Sequence, residues 1–175
     1  LRSHEFDYTQ IHEISVRTRM SARSRRAVSP ASEPAGLSCA RISATLIDMR
    51  VERIDVHAAE LTYAGEAYAF AGGRSYRHFT STVVTVHTDC GLAGHGEVCP
   101  CGPAYMPAFA EGLPACLRQL APAVIGSDPR HLSVMTQRMN AALNGHGYAK
   151  AAIDLACWDL LGKVTGQPVH VLLGG

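Results

Sequence analysis

His95, Glu97, Cys99 and Cys101 fall on alternate positions of HGEVCPC (95–101). These side-chain types hold zinc, and a continuous strand would set all four on one side. The run loosely echoes the His-x-Glu…Pro-Cys-x-x-Cys signature of zinc deaminases. Its spacing argues against that chemistry. One residue separates the cysteines where the signature needs two, and the two halves abut instead of coming from separate elements. Four neighbouring strand side chains also converge poorly on a tetrahedral ion, and Pro100 is placed to end the strand. His146, in GHG (145–147), has no carboxylate near it in the sequence, so a helix-entry turn is favoured over a general base. AGGRS (71–75) offers backbone N–H groups and Arg74 to an anion, without the lysine and length of a phosphate loop. There is no Gly-x-Ser-x-Gly elbow, and Glu111, Asp128, Asp154 and Asp159 form no carboxylate cluster. The reading is that this chain carries no catalytic residue, no metal ligand and no cofactor of its own.

The elements that position these residues begin with STVVTVHTDCGLAGHGEV (81–98). Thr82, Val84 and Val86 point one way, and Val83, Thr85 and His87 the other. β-Branched residues dominate, as a pleated surface favours. TDCG supplies a turn, with Gly91 able to take positive φ, and a second strand runs to about Val98. With a strand in MRVERIDVHAAELTY (49–63), the hairpin makes a three-stranded antiparallel meander. Residues 64–79 read as a long loop, of the kind that often carries function. The period then turns helical. Phe109, Leu113, Cys116, Leu117 and Leu120 place a helix over roughly 106–121, bent near Pro114. Asp128 as N-cap and Pro129 at the first position start another, carrying Leu132, Met135, Met139 and Leu143. The fold class is α+β, a meander followed by a helical bundle.

Composition is that of an ordinary globular chain: 175 residues, 47% hydrophobic, net charge +1. Near-neutral charge argues against nucleic acid as the main partner. No apolar run approaches the roughly 18–20 residues of a membrane span. The six cysteines are scattered and read as reduced thiols in a reducing compartment, so a cytoplasmic protein is expected. Residues 1–48 lack a sustained period and hold Arg17, Arg19, Arg23, Arg25 and Arg26 without an intervening acid. They read as a disordered extension, the domain proper starting near Met49.

The last helix spans about 148–164. At 100° per residue, Ala149, Ile153, Ala156, Leu160 and Val164 form one apolar stripe, and Ala151, Leu155, Trp158 and Gly162 a second. The pairs Lys150–Asp154 and Asp159–Lys163 make polar ridges between them. Gly166 and Pro168 stop the helix. An edge helix needs one apolar face, so the second calls for another body: either a partner chain, making this a non-catalytic interaction domain, or further sequence.

GYAKAAIDLACWDLLGKVTGQPVHVLLGG (147–175) and TDCGLAGHGE (88–97) resemble the end and the hairpin of the N-terminal capping domain in the mandelate racemase/muconate lactonizing enzyme group of the enolase superfamily. YAFAGGRSY (68–76), GEVCPCGPAYMPAFAEG (96–112), LAPAVIGSDP (120–129) and GHGYAKAAIDLACWD (145–159) are similar to its hydroxyproline betaine epimerase and cis-3-hydroxyproline dehydratase branch. The resemblance implies a capping domain over 49–145 and, over 146–175, the linking helix and the start of a barrel domain that the chain lacks. It implies that residues 64–79 and 99–106 are loops closing over the barrel mouth, with Tyr105, Tyr68 and Tyr76 as substrate contacts. The alternative for each tyrosine is plain packing. The family abstracts a proton next to a carboxylate, with Mg²⁺ stabilising the enediolate. The parent enzyme would thus be a magnesium-dependent dehydratase, epimerase or racemase, homo-oligomeric, taking a small carboxylate such as a hydroxyproline-like amino acid or betaine. The chain alone would be inactive.

Overall fold

Alternation of β-branched residues makes the two central strands. Ile54 and Val56 lie opposite Val86 and Val84 and are buried, while Asp55, His57, Thr85 and His87 take the opposite face. The computed structural model describes residues 11–12, 48–102, 104–106 and 109–175. The strands are β1 (Ile11–His12), β2 (Val51–Thr62), β3 (Tyr68–Phe70), β4 (Arg74–Tyr76), β5 (His78–Thr88) and β6 (Ala93–Val98). One antiparallel sheet has the order β1-β2-β5-β6, and β3 pairs with β4 in a separate ribbon. The expected meander is therefore present as β2-β5-β6. To it Ile11–His12 add an edge pairing with Ala58–Ala59. The expectation of a disordered extension otherwise lies outside the described residues.

Residues 64–79 are not a plain loop. β3 and β4 form a short hairpin turned at Gly72 and Gly73, and β5 already starts at His78. Strands this short show no sustained alternation, which is why pattern alone misses them.

A single 3₁₀ turn at Ala110–Gly112 leads into α1 (Leu113–Val124). Pro114 does not bend the helix. It sits in the first turn, where a missing N–H costs nothing, and the interior proline is Pro122. The second helix, α2 (Leu132–Ala142), starts later than expected, with His131 as N-cap. Asp128 accepts instead from the Arg130 amide at 2.9 Å and from its guanidinium at 2.6 Å. A short turn thus takes the carboxylate that a helix cap would have used.

Next come α3 (Gly147–Thr165), closed by Gly166 in left-handed conformation, and the short α4 (Val169–Leu172). Leu117, Leu120 and Val124 of α1, Met135 and Met139 of α2, and Ala149, Ile153, Ala156 and Leu160 of α3 form one core with the sheet valines. Val164 is only half-buried. Among the described residues no helix is long and apolar enough to cross a membrane.

The seam between α3 and β6 is unusually tight. Gly94 and Gly96, two apart on one face of the strand, bring the backbones together: a Cβ on Gly96 would lie 2.0 Å from the Ala152 carbonyl oxygen, and one on Gly94 2.1 Å from that of Ala156. The polar ridge of Asp159 and Lys163 closes this seam. Asp159 accepts from the His95 amide at 2.8 Å, and Lys163 donates to Asp159 at 2.6 Å and to the Ala93 carbonyl at 2.8 Å. Side chains of the helix thereby take up two outward backbone groups on the edge of β6, the His95 amide and the Ala93 carbonyl. The other expected pair does not form. Lys150 donates to Asn140 at 2.8 Å, and Asp154 takes the Trp158 indole.

Burial pushes the Asp159 carboxyl up, but the bonds from Lys163 and the His95 amide outweigh it and hold it below its ordinary value of 3.8. A carboxylate so held stabilises the fold fully at neutral pH, and the stabilisation is lost as pH falls through the folded pKa, below about pH 4. Asp159→Asn should therefore cost about 1 kcal/mol at pH 7, the usual ~1.5–3 kcal/mol of a charged hydrogen bond reduced by solvent screening at a third-exposed site. It should cost less near pH 2, where more of the carboxyl is protonated. Thermal melts at the two pH values read the difference, and equal losses at both would refute the assignment.

Candidate functional site

The β3–β4 hairpin sets Tyr68 opposite Tyr76 and Phe70 opposite Arg74. Residues two apart share a strand face, so Tyr68 and Phe70 point together. Their rings meet edge-on at 5.0 Å, and Phe70 meets Tyr76 at 5.6 Å. Phe70 also meets Tyr105 at 4.9 Å, across from the segment that follows β6. Tyr63 joins at 5.8 Å from Tyr68, and Phe79 at 6.0 Å from Tyr76. The result is a connected aromatic cluster with Phe70 at its hub, bridging the two segments expected to be loops.

A second contact locks the segments. Gly102 has φ of 76°, and a Cβ there would lie 2.8 Å from the Tyr76 ring. Without a side chain, the Gly102 backbone rests on that ring. Met106 receives the Tyr148 hydroxyl, tying the segment to the start of α3. An apolar groove of about 480 Å³ shares Tyr63 and Phe79 with the cluster and is lined as well by Leu61, Thr62, Ala64, Gly65 and Cys99. At its rim, Thr62 and Glu60 lie 3.1 and 3.5 Å from Nδ1 of His78. Burial, then Cys101 and Glu97, push the Cys99 thiol up, so it stays protonated and unreactive at neutral pH.

All three tyrosines singled out in the sequence are in this cluster. Tyr105 is 62% exposed and Tyr68 47%, while Tyr76 is half-buried beneath Gly102. Tyr105 and Tyr68 thus offer phenol groups and ring faces to a ligand, and Tyr76 does structural work between the loops. Phe70, Tyr63 and Phe79 escaped the sequence reading. For Phe70 the two-residue spacing from Tyr68 was the available signal. What the cluster can offer a ligand is hydrogen bonds from its exposed phenols and apolar or cation–π contact from its ring faces.

The zinc-like run does not converge. β6 ends at Val98, His95 lies 3.1 Å from the Thr85 hydroxyl, and Glu97 accepts from Ser81. Asp55 is likewise taken up by Arg53 and His87. Among the described residues no group of three or more His, Cys, Asp or Glu side chains could hold a metal ion. The magnesium implied by the resemblance finds no fitting ligand set among the described residues. Cys90, Cys99, Cys101, Cys116 and Cys157 are free thiols, and Cys39 lies outside the described residues.

The outer flank of α3 is incompletely covered. Ile153, Ala156 and Leu160 are buried, whereas Leu155 is 47% exposed and Trp158 half-buried. Gly162, assigned to this flank, is instead buried beneath Gln167 and Val169. Val171 and Leu173 are exposed nearby in the chain.

Residues 71–174 match the model of the mandelate racemase/muconate lactonizing enzyme N-terminal domain. The chain is 48% identical over 127 residues to cis-3-hydroxy-L-proline dehydratase of Roseibium aggregatum, a match covering 73% of this chain and 35% of the dehydratase. Among solved structures, a member of the enolase superfamily from Roseovarius nubinhibens ISM, complexed with magnesium, superposes with a TM-score of 0.68 at 41% identity. That match covers 73% of this chain and 34% of the neighbour. The N-succinyl Arg/Lys racemase of Bacillus cereus ATCC 14579 superposes with a TM-score of 0.67 at 32% identity, covering 72% of this chain and 34% of the racemase. The chain thus spans about a third of the length of the proteins it matches.

Proposed function

The chain belongs to the mandelate racemase/muconate lactonizing enzyme family through its N-terminal domain, and from that premise we propose that it is the capping, specificity-setting domain of a magnesium-dependent dehydratase, epimerase or racemase. The substrate is a small carboxylate, with a hydroxyproline-like amino acid or betaine the favoured class, and the reaction begins with removal of its α-proton. The two thirds of the relatives' length that this chain does not match would supply the barrel, its base and its metal ligands. The open flank of α3, with Leu155 and Trp158, would carry that barrel. The observation that carries the reading is the contact of Phe70 with Tyr105. It joins two segments distant in sequence into one aromatic surface with exposed phenols, in a chain that over 127 residues is 48% identical to a cis-3-hydroxy-L-proline dehydratase. The parent would be cytoplasmic and homo-oligomeric.

The test is a chimera in which residues 49–175 replace the matching segment of the Roseibium dehydratase. Magnesium-dependent dehydration of cis-3-hydroxy-L-proline is expected. Tyr105→Ala in that chimera should raise KM about tenfold, the effect of one lost hydrogen bond of roughly 1.4 kcal/mol. A folded, magnesium-binding chimera inert toward hydroxyprolines would overturn the substrate class.

Leu155 at 47% exposure favours a second reading, a non-catalytic domain that binds a partner chain through α3. Self-association of the isolated chain that Leu155→Glu abolishes, together with an inert chimera, would favour it.

A further inference from the structure

Cys116 and His146 are 30 positions apart, yet Sγ lies 3.2 Å from Nδ1 of the imidazole. Cys116 is half-buried, the fourth residue of α1, and His146 is exposed at the entry to α3. The backbone at His146 is left-handed, φ 52° and ψ 45°.

The other described thiols lack this company. Cys157 is fully buried and its thiol is pushed up to about 12 by that burial. Cys101 points at the Cys99 carbonyl at 3.9 Å. Cys90 lies 3.2 Å from the Thr88 hydroxyl. Cys99 is held protonated by burial. Among the described residues, Cys116 is the cysteine whose sulfur is hydrogen-bonded to a base.

We propose that Cys116 and His146 form a thiol–imidazole modification site that takes low-molecular-weight disulfides. In the exchange, His146 Nδ1 accepts the Cys116 proton and the thiolate sulfur attacks one sulfur of the disulfide. The new S–S bond forms as the old one breaks. Cys116 is thereby oxidised to a mixed disulfide, and the departing sulfur is reduced, leaving as a thiol once it takes up the proton. The site lies outside the aromatic cluster and its role does not depend on the proposed substrate.

The experiment uses the full chain carrying Cys39→Ser, with the chromogenic disulfide dithiobis(nitrobenzoate) as probe. One thiol should react at least about tenfold faster than the others, and peptide mapping of the labelled chain should locate it at Cys116. His146→Asn should slow that phase about tenfold without changing its amplitude, because asparagine tolerates the left-handed backbone and is no base. Circular dichroism confirms that the variant is folded. Mapping the unsubstituted Cys116 keeps the test decisive if the variant unfolds. A fast phase at Cys90, Cys99 or Cys101, equal rates for all exposed thiols, or a folded His146→Asn chain reacting at the original rate would each overturn the proposal.

Discussion

Gly96→Ala should unfold the domain or lower its melting temperature by about 10 °C or more. The new methyl would sit 2.0 Å from the Ala152 carbonyl oxygen and 2.9 Å from the Ala156 nitrogen. Both are helix backbone, which cannot rotate away as a side chain can. Either α3 lifts from the sheet or β6 shifts, and each move disturbs the Asp159 and Lys163 bonds along the same seam. Overpacking of a close-packed interior costs about 1–3 kcal/mol where side chains can give, and a backbone clash belongs above that range. Against a typical domain stability of about 5–15 kcal/mol, this is a large fraction. Thermal unfolding followed by circular dichroism is the measurement. A melting temperature within a few degrees of the parent's would show that the seam is looser than the distances imply.

Gly102→Ala should act on function more than on stability. Its φ of 76° is a left-handed value, costing an alanine about 1–2 kcal/mol. The added methyl would press on the Tyr76 ring at 2.8 Å. A ring can tilt where a helix backbone cannot, so the domain stays folded while the segment carrying Tyr105 moves off the hairpin. In the chimera with the Roseibium dehydratase, kcat/KM should fall about 100-fold, the scale of a misplacement near 1 Å. Phe70→Leu should reproduce part of the loss, since it removes the ring that Tyr105 packs against while leaving Tyr105 itself in the chain. If kcat/KM is unchanged in folded Gly102→Ala, the aromatic cluster is packing alone and the specificity reading fails.

Much of this was legible in the residues. β5 could be read from its β-branched alternation, and α3 from its periodic apolar residues and the Gly166 stop, because each repeats one signal over many positions. Where one residue type serves two local motifs, the sequence alone does not choose between them. Asp128 suits a helix cap and a tight turn equally, and Arg130 decided it. Pro114 reads as a bend or as a start, depending on where the first turn falls. The β3–β4 hairpin is too short to repeat anything. Gly94 and Gly96 carried a usable signal, two small residues on one strand face, but a strand gives no hint of which helix will come so close. In the site, Tyr68, Tyr76 and Tyr105 were suggested by resemblance. That they share one cluster, and that Phe70 is its centre, depends on packing between segments some thirty residues apart, which no local pattern encodes.

The clamp on β6 also sets an order of events during synthesis. The His95 amide and the Ala93 carbonyl wait for side chains 64 and 70 positions further along. Until Lys163 clears the ribosome, the growing hairpin offers a bare strand to any neighbouring nascent chain. Slowing translation between these positions should therefore raise the insoluble fraction, while slowing it after Lys163 has emerged should not.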